Sequence, residues 1–410
     1  MTKPPLKATL TVGGATFISR IFGYVRDAVI FILFGANAGT DAFFVAFRIP
    51  NFLRRIFAEG AFSQAFVPVM TSHLKQDKSA FRRLIDHSSG LLSLALLFIT
   101  ALGMLTAPWL ITLFAPGFND PTQQQLASDM LRIVFPYLFF ISLTAMAASL
   151  LNVKQRFAIP ALTPVLLNVA LILAAIFLAP KMAQPIIALA WGVFIGGAAQ
   201  LALQIPFLIK EKCLPIPRLT GAKAGVKRIA KLMLPAIFGS SIVQLNLLIN
   251  TVIASFLTVG SISWLYVSDR FVELPLAIFG VAIATVLLPM LSRQFVTANS
   301  DDFNNSLHWA LRLTCLFAIP ATVGLILLAE PIIISLMQYR AFTALDTQMS
   351  SLSLIAYGLG LPAFIAIKIL APGFFARENT RTPMLIGVSA IGVNIAPVSY
   401  THLRAHETRH

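Results

Sequence analysis

The chain has 410 residues, of which 57% are hydrophobic and 11% charged, with a mean hydropathy of +0.82. Soluble domains carry about 25% charged residues, so a soluble enzyme, a disordered chain and a disulfide scaffold are all excluded. The net charge of +15 comes from 31 Lys and Arg against 16 Asp and Glu. In so apolar a chain, the positions of those charges carry orientation.

Spans of about 20 apolar residues are read, in chain order, at 8–34, 41–71, 88–113, 131–153, 160–180, 185–209, 231–257, 263–291, 308–329, 347–371 and 383–398. Lys3 and Lys7 precede the first, and no convincing small-x-small site ends it. It is therefore read as a retained span and not a cleaved signal. Thr258 to Ser263 is the turn expected between spans seven and eight. Counted over these eleven spans with the N-terminus in the cytoplasm, the inner segments hold 18 basic residues and the outer loops hold Lys181 and Arg340. That asymmetry sets the N-terminus and the 210–231 linker on the cytoplasmic side.

A weak repeat at an offset of about 222 residues relates Asn152-Val-Lys-Gln-Arg156 to Phe375-Ala-Arg-Glu-Asn379, and Ile56-Phe57 to Ile278-Phe279. Six spans per half gives both halves the same orientation, as in parallel-repeat transporters. The expected organisation is an N-terminal lobe over 1–209, a basic linker over 210–231 and a C-terminal lobe over 231–398. The sequence over 399–410 is read as a foreign or frame-shifted tail, which would leave the second lobe incomplete.

Charges inside spans are expensive and usually face a cavity or a partner. Span one holds Arg20, Arg26 and Asp27; span two holds Arg48, Arg54, Arg55 and Glu59, with Asp41 at its outer end. Span eight holds Asp269, Arg270 and Glu273. Seven-residue spacing puts Arg20 with Asp27, and Ser19 with Arg26, on shared helix faces. Pro50 and Pro275 sit where a helix is expected to bend. Arg20, Arg26, Arg54 and Arg270 are read as lining a hydrated cavity, where guanidinium forks suit phosphate. Arg48, Arg132 and Arg312 are read as local pairs or as side chains snorkelling to the headgroups. Asp301-Asp302 reads as a solvated loop, and His73, His87 and His308 have no ligand spacing. Cys213 and Cys315 read as structural thiols. No nucleophile and base stand together, so an enzyme is disfavoured.

Three stretches carry a resemblance. Phe17-Ile-Ser-Arg-Ile-Phe-Gly-Tyr-Val-Arg-Asp27, Thr40-Asp-Ala-Phe-Phe-Val-Ala-Phe47 and the run from Pro50 through Arg54-Arg-Ile-Phe-Ala-Glu-Gly60 to Pro68 resemble the MurJ/MviN family of lipid II flippases. Asp269-Arg270, Glu273 and Leu370-Ala-Pro-Gly-Phe-Phe-Ala-Arg377 fit the same family. The resemblance covers residues 6 to about 397. It implies membership of the multidrug/oligosaccharidyl-lipid/polysaccharide exporter superfamily, an all-α polytopic fold of two six-helix lobes forming a V, and a central cationic cavity. By that resemblance Arg20, Arg26, Arg54 and Arg270 are cavity arginines. Asp41 and Glu273 are functional acidic positions, Glu59 lies near the substrate portal, and Asp269 is counted with them among the substrate-binding residues. Span seven offers Asn246 and Asn250 but no acid, unlike members that bind sodium.

The implied function is transfer of lipid II, an undecaprenyl-pyrophosphate-linked disaccharide-pentapeptide, across the bacterial inner membrane by a monomer. Membrane lipid and the cell-wall synthesis machinery are the other implied partners; no cofactor, metal or nucleic acid is implied. An exporter of another lipid-linked sugar or of a drug, and a polyprenyl-phosphate transferase, are the alternatives.

Overall fold

The computed structural model describes residues 6–55, 62–76, 78–297, 300–377, 379, 381–387 and 389–390. Glu59, the Ile56-Phe57 pair of the repeat and the 399–410 tail lie outside these residues. Among the described residues the structure is entirely helical, without a strand. That is the expected answer for a chain whose backbone must satisfy its own hydrogen bonds in lipid.

The chain divides into two compact units, 1–259 and 260–410. The first begins with α1 (Leu6–Phe34), α2 (Ala38–Arg54), α3 (Ser63–Gln76), α4 (Lys78–Leu105) and α5 (Ala107–Phe114). It continues with α6 (Pro121–Val134), α7 (Tyr137–Val153), α8 (Ala158–Leu173), α9 (Ile187–Lys210) and α10 (Lys223–Ser255). The second unit holds α11 (Ser261–Pro275), α12 (Ala282–Val296), α13 (Ser300–Leu327), α14 (Ala329–Met337) and α15 (Ala344–Ala376).

Seven helical stretches of the described residues are long and apolar enough to cross a membrane. They are Ser79–Leu105, Pro121–Val153, Ala158–Lys181, Ile187–Lys210, Ser261–Val296, Asp301–Leu327 and Ala344–Ala376. Many of their large apolar side chains are exposed, as on α4, where Leu91, Leu94, Leu97 and Phe98 form one stripe. In a soluble protein such a stripe would be a liability; in a bilayer it is the lipid-facing surface.

Local chemistry sets the breaks. Asn37 caps α2, its side chain accepting from Gly39 and Thr40 while Thr40 answers from the third position, a reciprocal capping box. Pro50 does not interrupt α2, which runs on to Arg54; prolines are tolerated in membrane helices where neighbours re-satisfy the backbone. Pro275 does mark a change, because α11 ends there and a wide π-type turn over Leu276–Val281 leads into α12. A similar turn over Ala174–Leu178 follows α8; such turns often accompany functional segments. Gly260, at φ +97°, supplies the turn before α11, where a side chain would be strained.

In the first unit α1 packs along α8, α8 and α7 along α9, and α10 against α3, α4 and α5. A buried cluster around Phe66, Met70, Leu84, Leu150 and Leu151 joins α3, α4 and α7 and takes in Cys213 and Ile229 from the basic segment and the start of α10. In the second unit α15 is central, touching α11, α12, α13 and α14.

Candidate functional site

Arg26 lies on α1 with 6% of its surface exposed, far below what an arginine tolerates without partners. It has them. Nε donates to Asp27 Oδ1 at 2.8 Å, and Nη1 donates to Asn168 Oδ1 on α8 at 3.0 Å. Nη2 closes a 2.5 Å ion pair with the same Asp27 oxygen, and Asp27 is itself buried. Asn168 uses its other end as well, Nδ2 donating to the Ser19 carbonyl of α1 at 3.1 Å. One asparagine thus spans the Arg26 guanidinium and the Ser19 backbone two turns earlier. Asp27 pairs with Arg26, its chain neighbour. Arg20, expected on the Asp27 face, is an exposed side chain of the same helix.

Arg54 closes α2. It is half-buried, and its Nε donates to Asn51 Oδ1 one turn back at 2.8 Å. Tyr137, buried at the start of α7, lies within electrostatic range of both Arg54 and Arg26. The ring of Phe47 meets that of Tyr137 with centroids 6.2 Å apart, so the phenol sits in an apolar wall. Asp41 is buried in the first turn of α2. Thirteen residues separate it from Arg54, about 20 Å along the helix, so these two do not share one ligand position.

Arg48 departs from its expected role. Its Nη1 donates to Thr251 Oγ1 at 2.5 Å, tying α2 to the end of α10, 203 residues away. Nearby, Gly117 N donates to Ser255 Oγ at 3.1 Å. By contrast Arg132 pairs with Asp129 at 2.9 Å on its own helix, and Arg312 is exposed.

In the second unit, Arg270 Nη1 donates to Glu273 Oε2 at 2.9 Å, and its guanidinium lies 5.8 Å from the Tyr266 ring centre. Asp269 is half-buried beside it. Behind them Trp264 Nε1 donates to the buried Asp346 at 2.9 Å, and Asp346 also accepts from the backbone and hydroxyl of Thr343. Asp301 and Asp302 are exposed in the first turn of α13, where their charge suits the helix dipole.

Among the described residues no group of three or more His, Cys, Asp or Glu could hold a metal ion. Cys213 is a free, buried thiol; burial pushes its ionisation up, partly offset by Lys154. That leaves less thiolate at a given pH, the reverse of a reactive cysteine.

Sequence reasoning missed Asn168, Tyr137, Thr251 and Tyr266. A polar Asn inside an apolar span was a signal, but nothing in the sequence says which helix it answers.

At least three donor contacts of Arg26 are engaged in this state, and two are to a carboxylate. A guanidinium so held keeps its charge in a low-dielectric setting and can exchange carboxylate for phosphate oxygens without standing unpaired. Cargo binding of this kind, and not bond-making, is what the arrangement offers.

Comparison with known proteins agrees. A family described as "Lipid II flippase MurJ" matches residues 30–403. A protein of Vibrio cholerae named "Probable lipid II flippase MurJ" is 46% identical over 404 residues, covering 96% of this chain and 77% of its own length. A solved structure, "Lipid II flippase MurJ, inward closed conformation", superposes with a TM-score of 0.81 at 33% identity, covering 94% of this chain and 81% of that one. An inward-facing multidrug MATE transporter superposes with a TM-score of 0.64 at 12% identity, covering 92% and 95%, a likeness of fold alone.

Proposed function

This chain belongs to the lipid II flippase family, MurJ, and we propose that its intramembrane arginines take the lipid II pyrophosphate as the headgroup crosses. The protein is a multi-pass membrane transporter of lipid II and not an enzyme. The finer reading is transfer from the cytoplasmic to the periplasmic leaflet of the inner membrane by alternating access, in a two-lobed chain of eleven crossings with a cytoplasmic N-terminus. The 18-to-2 division of basic residues supports that orientation.

The observation that carries the arginine assignment is the buried Arg26, Asp27 and Asn168 cluster, with Arg54 within electrostatic range of the same Tyr137 as Arg26. A pyrophosphate presents two phosphoryl groups, and each guanidinium presents a planar fork that fits one. Asp27 releases Arg26 as the phosphate arrives and takes it back as the phosphate leaves. The buried cation is then paired throughout the cycle, which avoids the several kcal/mol that an isolated buried charge would cost. Arg20, exposed on α1, is a further cation for the headgroup, and Arg270, held by Glu273 at 2.9 Å, is the candidate cation of the second unit. Glu273 returns Arg270 to a paired state, and Asp41, Asp269 and Glu59 are assigned to the substrate path as further acidic positions. Net charge moved with the headgroup would couple the cycle to the membrane potential, at about 2.3 kcal/mol per charge per 100 mV.

The test is direct binding to the purified chain in phosphatidylcholine nanodiscs. Each charge-assisted contact contributes about 1.5–3 kcal/mol, so Arg26→Ala and Arg54→Ala should each weaken lipid II binding about 10- to 150-fold. Undecaprenol, which has the tail but no pyrophosphate, should bind alike to all variants. Unchanged lipid II affinity in folded Arg26→Ala and Arg54→Ala would remove the arginines from the site.

A further inference from the structure

Between α9 and α10 the chain makes a short extended loop, and its conformation is closely specified. Lys212 enters it with a left-handed backbone, φ +55°, and Gly221 leaves it at φ +140°. Pro215 and Pro217 flank Ile216 and stiffen it. The two amides they leave free are both used. Ile216 N donates to Asp86 Oδ1 and Arg218 N donates to the Asp86 carbonyl, each at 2.9 Å. Asp86 is buried on α4, with Arg82 at 3.4 Å from its other oxygen. The loop is pressed so close to α4 that a Cβ on Gly90 would fall inside the Arg218 backbone.

That anchoring has a consequence for depth. The lipid-facing stripe of α4 begins at Leu91, one residue beyond Gly90, and its exposed side chains run on through Leu102 to Leu105 at the end of the helix. Leu91 to Leu105, the last residue of α4, rises about 21 Å at 1.5 Å per residue, most of the roughly 30 Å of a hydrocarbon core. The loop therefore stands at the edge of the hydrocarbon. There it exposes two large apolar side chains, Ile216 at 52% and Leu219 at 61%. Lys210, Lys212 and Arg218 beside them are also exposed. A water-facing loop gains nothing from two exposed aliphatic groups, whereas an interfacial segment combines apolar insertion with a basic rim.

We propose that residues 209–219 form an interfacial anchor, in which Ile216 and Leu219 enter the leaflet on the chain's basic side and Lys210, Lys212 and Arg218 bind the headgroups of its anionic phospholipids. Charge complementarity selects the occupant, because basic segments at a membrane surface attract anionic lipid. Asp86 acts as the positioning residue that holds the loop at this depth. The inference goes beyond transport and is independent of the cargo.

Site-directed spin labelling of the reconstituted chain tests it, in a Cys315→Ser background with the buried Cys213 retained. In vesicles of phosphatidylcholine and phosphatidylglycerol, a label on Leu219→Cys should favour oxygen over a water-soluble nickel chelate as collider. Its ratio should lie between those of Leu97→Cys on the lipid face and Asp301→Cys in water. A ratio equal to that of Asp301→Cys overturns the insertion. Because these positions are exposed, folding is not at stake. In a second arm, phosphatidylglycerol binding by the Lys210→Gln, Lys212→Gln and Arg218→Gln triple variant should weaken about fivefold per cation at low salt. Undiminished binding overturns the assignment of the basic rim. Neither arm involves lipid II, so a negative result here leaves the transport reading standing.

Discussion

Asn168→Leu removes the one side chain that joins α8 to both Ser19 and Arg26 of α1. Leu keeps the branching at Cγ and the number of heavy atoms, and the site is buried, so the change deletes two interhelical hydrogen bonds without leaving a void. Such bonds inside membrane proteins average about 0.6 kcal/mol with a ceiling near 1.7 kcal/mol. Losing both should therefore cost about 1–3 kcal/mol of stability. Arg26 keeps its two contacts to Asp27, so the variant should insert and fold. The lipid II affinity should fall by about tenfold or less, because the guanidinium loses orientation but not charge. A double-mutant cycle separates these terms. Arg26→Leu, Asn168→Leu and the double variant would be unfolded in parallel by denaturant, with lipid II binding measured on the same preparations. The bond at 3.0 Å predicts a coupling of about 0.6–1.7 kcal/mol between the two positions. A coupling indistinguishable from zero would show that Asn168 does not hold Arg26, and the exchange mechanism would lose its positioning element.

Gly117→Ala places a Cβ against the Ser255 carbonyl, so the 115–120 loop must move away from α10. Overpacking of this kind costs about 1–3 kcal/mol, and a thermal melt unchanged from the parent would argue against that contact. Trp264→Phe deletes the donor to Asp346 Oδ1 and keeps the Thr343 amide and hydroxyl on Oδ2. Stranding a buried acceptor costs about 1–3 kcal/mol, to be read as a lowered denaturant midpoint without loss of helical content; an unaltered midpoint would count against the bond.

Much about this chain could be read without coordinates. Hydropathy identified the apolar stretches because a bilayer imposes the same length on every crossing. The seven stretches that qualify in the structure fall within or overlap spans read from the sequence. The motif around Arg20 to Asp27, and the run from Pro50 to Pro68, pointed to the flippase family because they are local strings. The charges inside spans were legible as exceptional for the same reason: insertion energy depends on residue type and depth, both of which are linear in the chain.

Partners were a different matter. Arg26 and Asn168 are 142 residues apart, and Arg48 and Thr251 are 203 apart. Helical periodicity places a side chain on a face but does not say which helix packs there. Arg20 and Arg26 looked equivalent in the sequence, yet one is exposed and the other is buried on Asp27. Pro50 and Pro275 looked alike too, and only the second ends its helix. The depth of the 209–219 loop depends on Asp86, to which nothing local in the sequence draws attention and which Ile216 and Arg218 bond from 130 and 132 residues away. Local strings and hydropathy determine which residues are in the membrane and what kind of protein carries them. Only tertiary packing, where interhelical contact is decided by shape and hydrogen-bond matching between distant segments, decides which charge answers which.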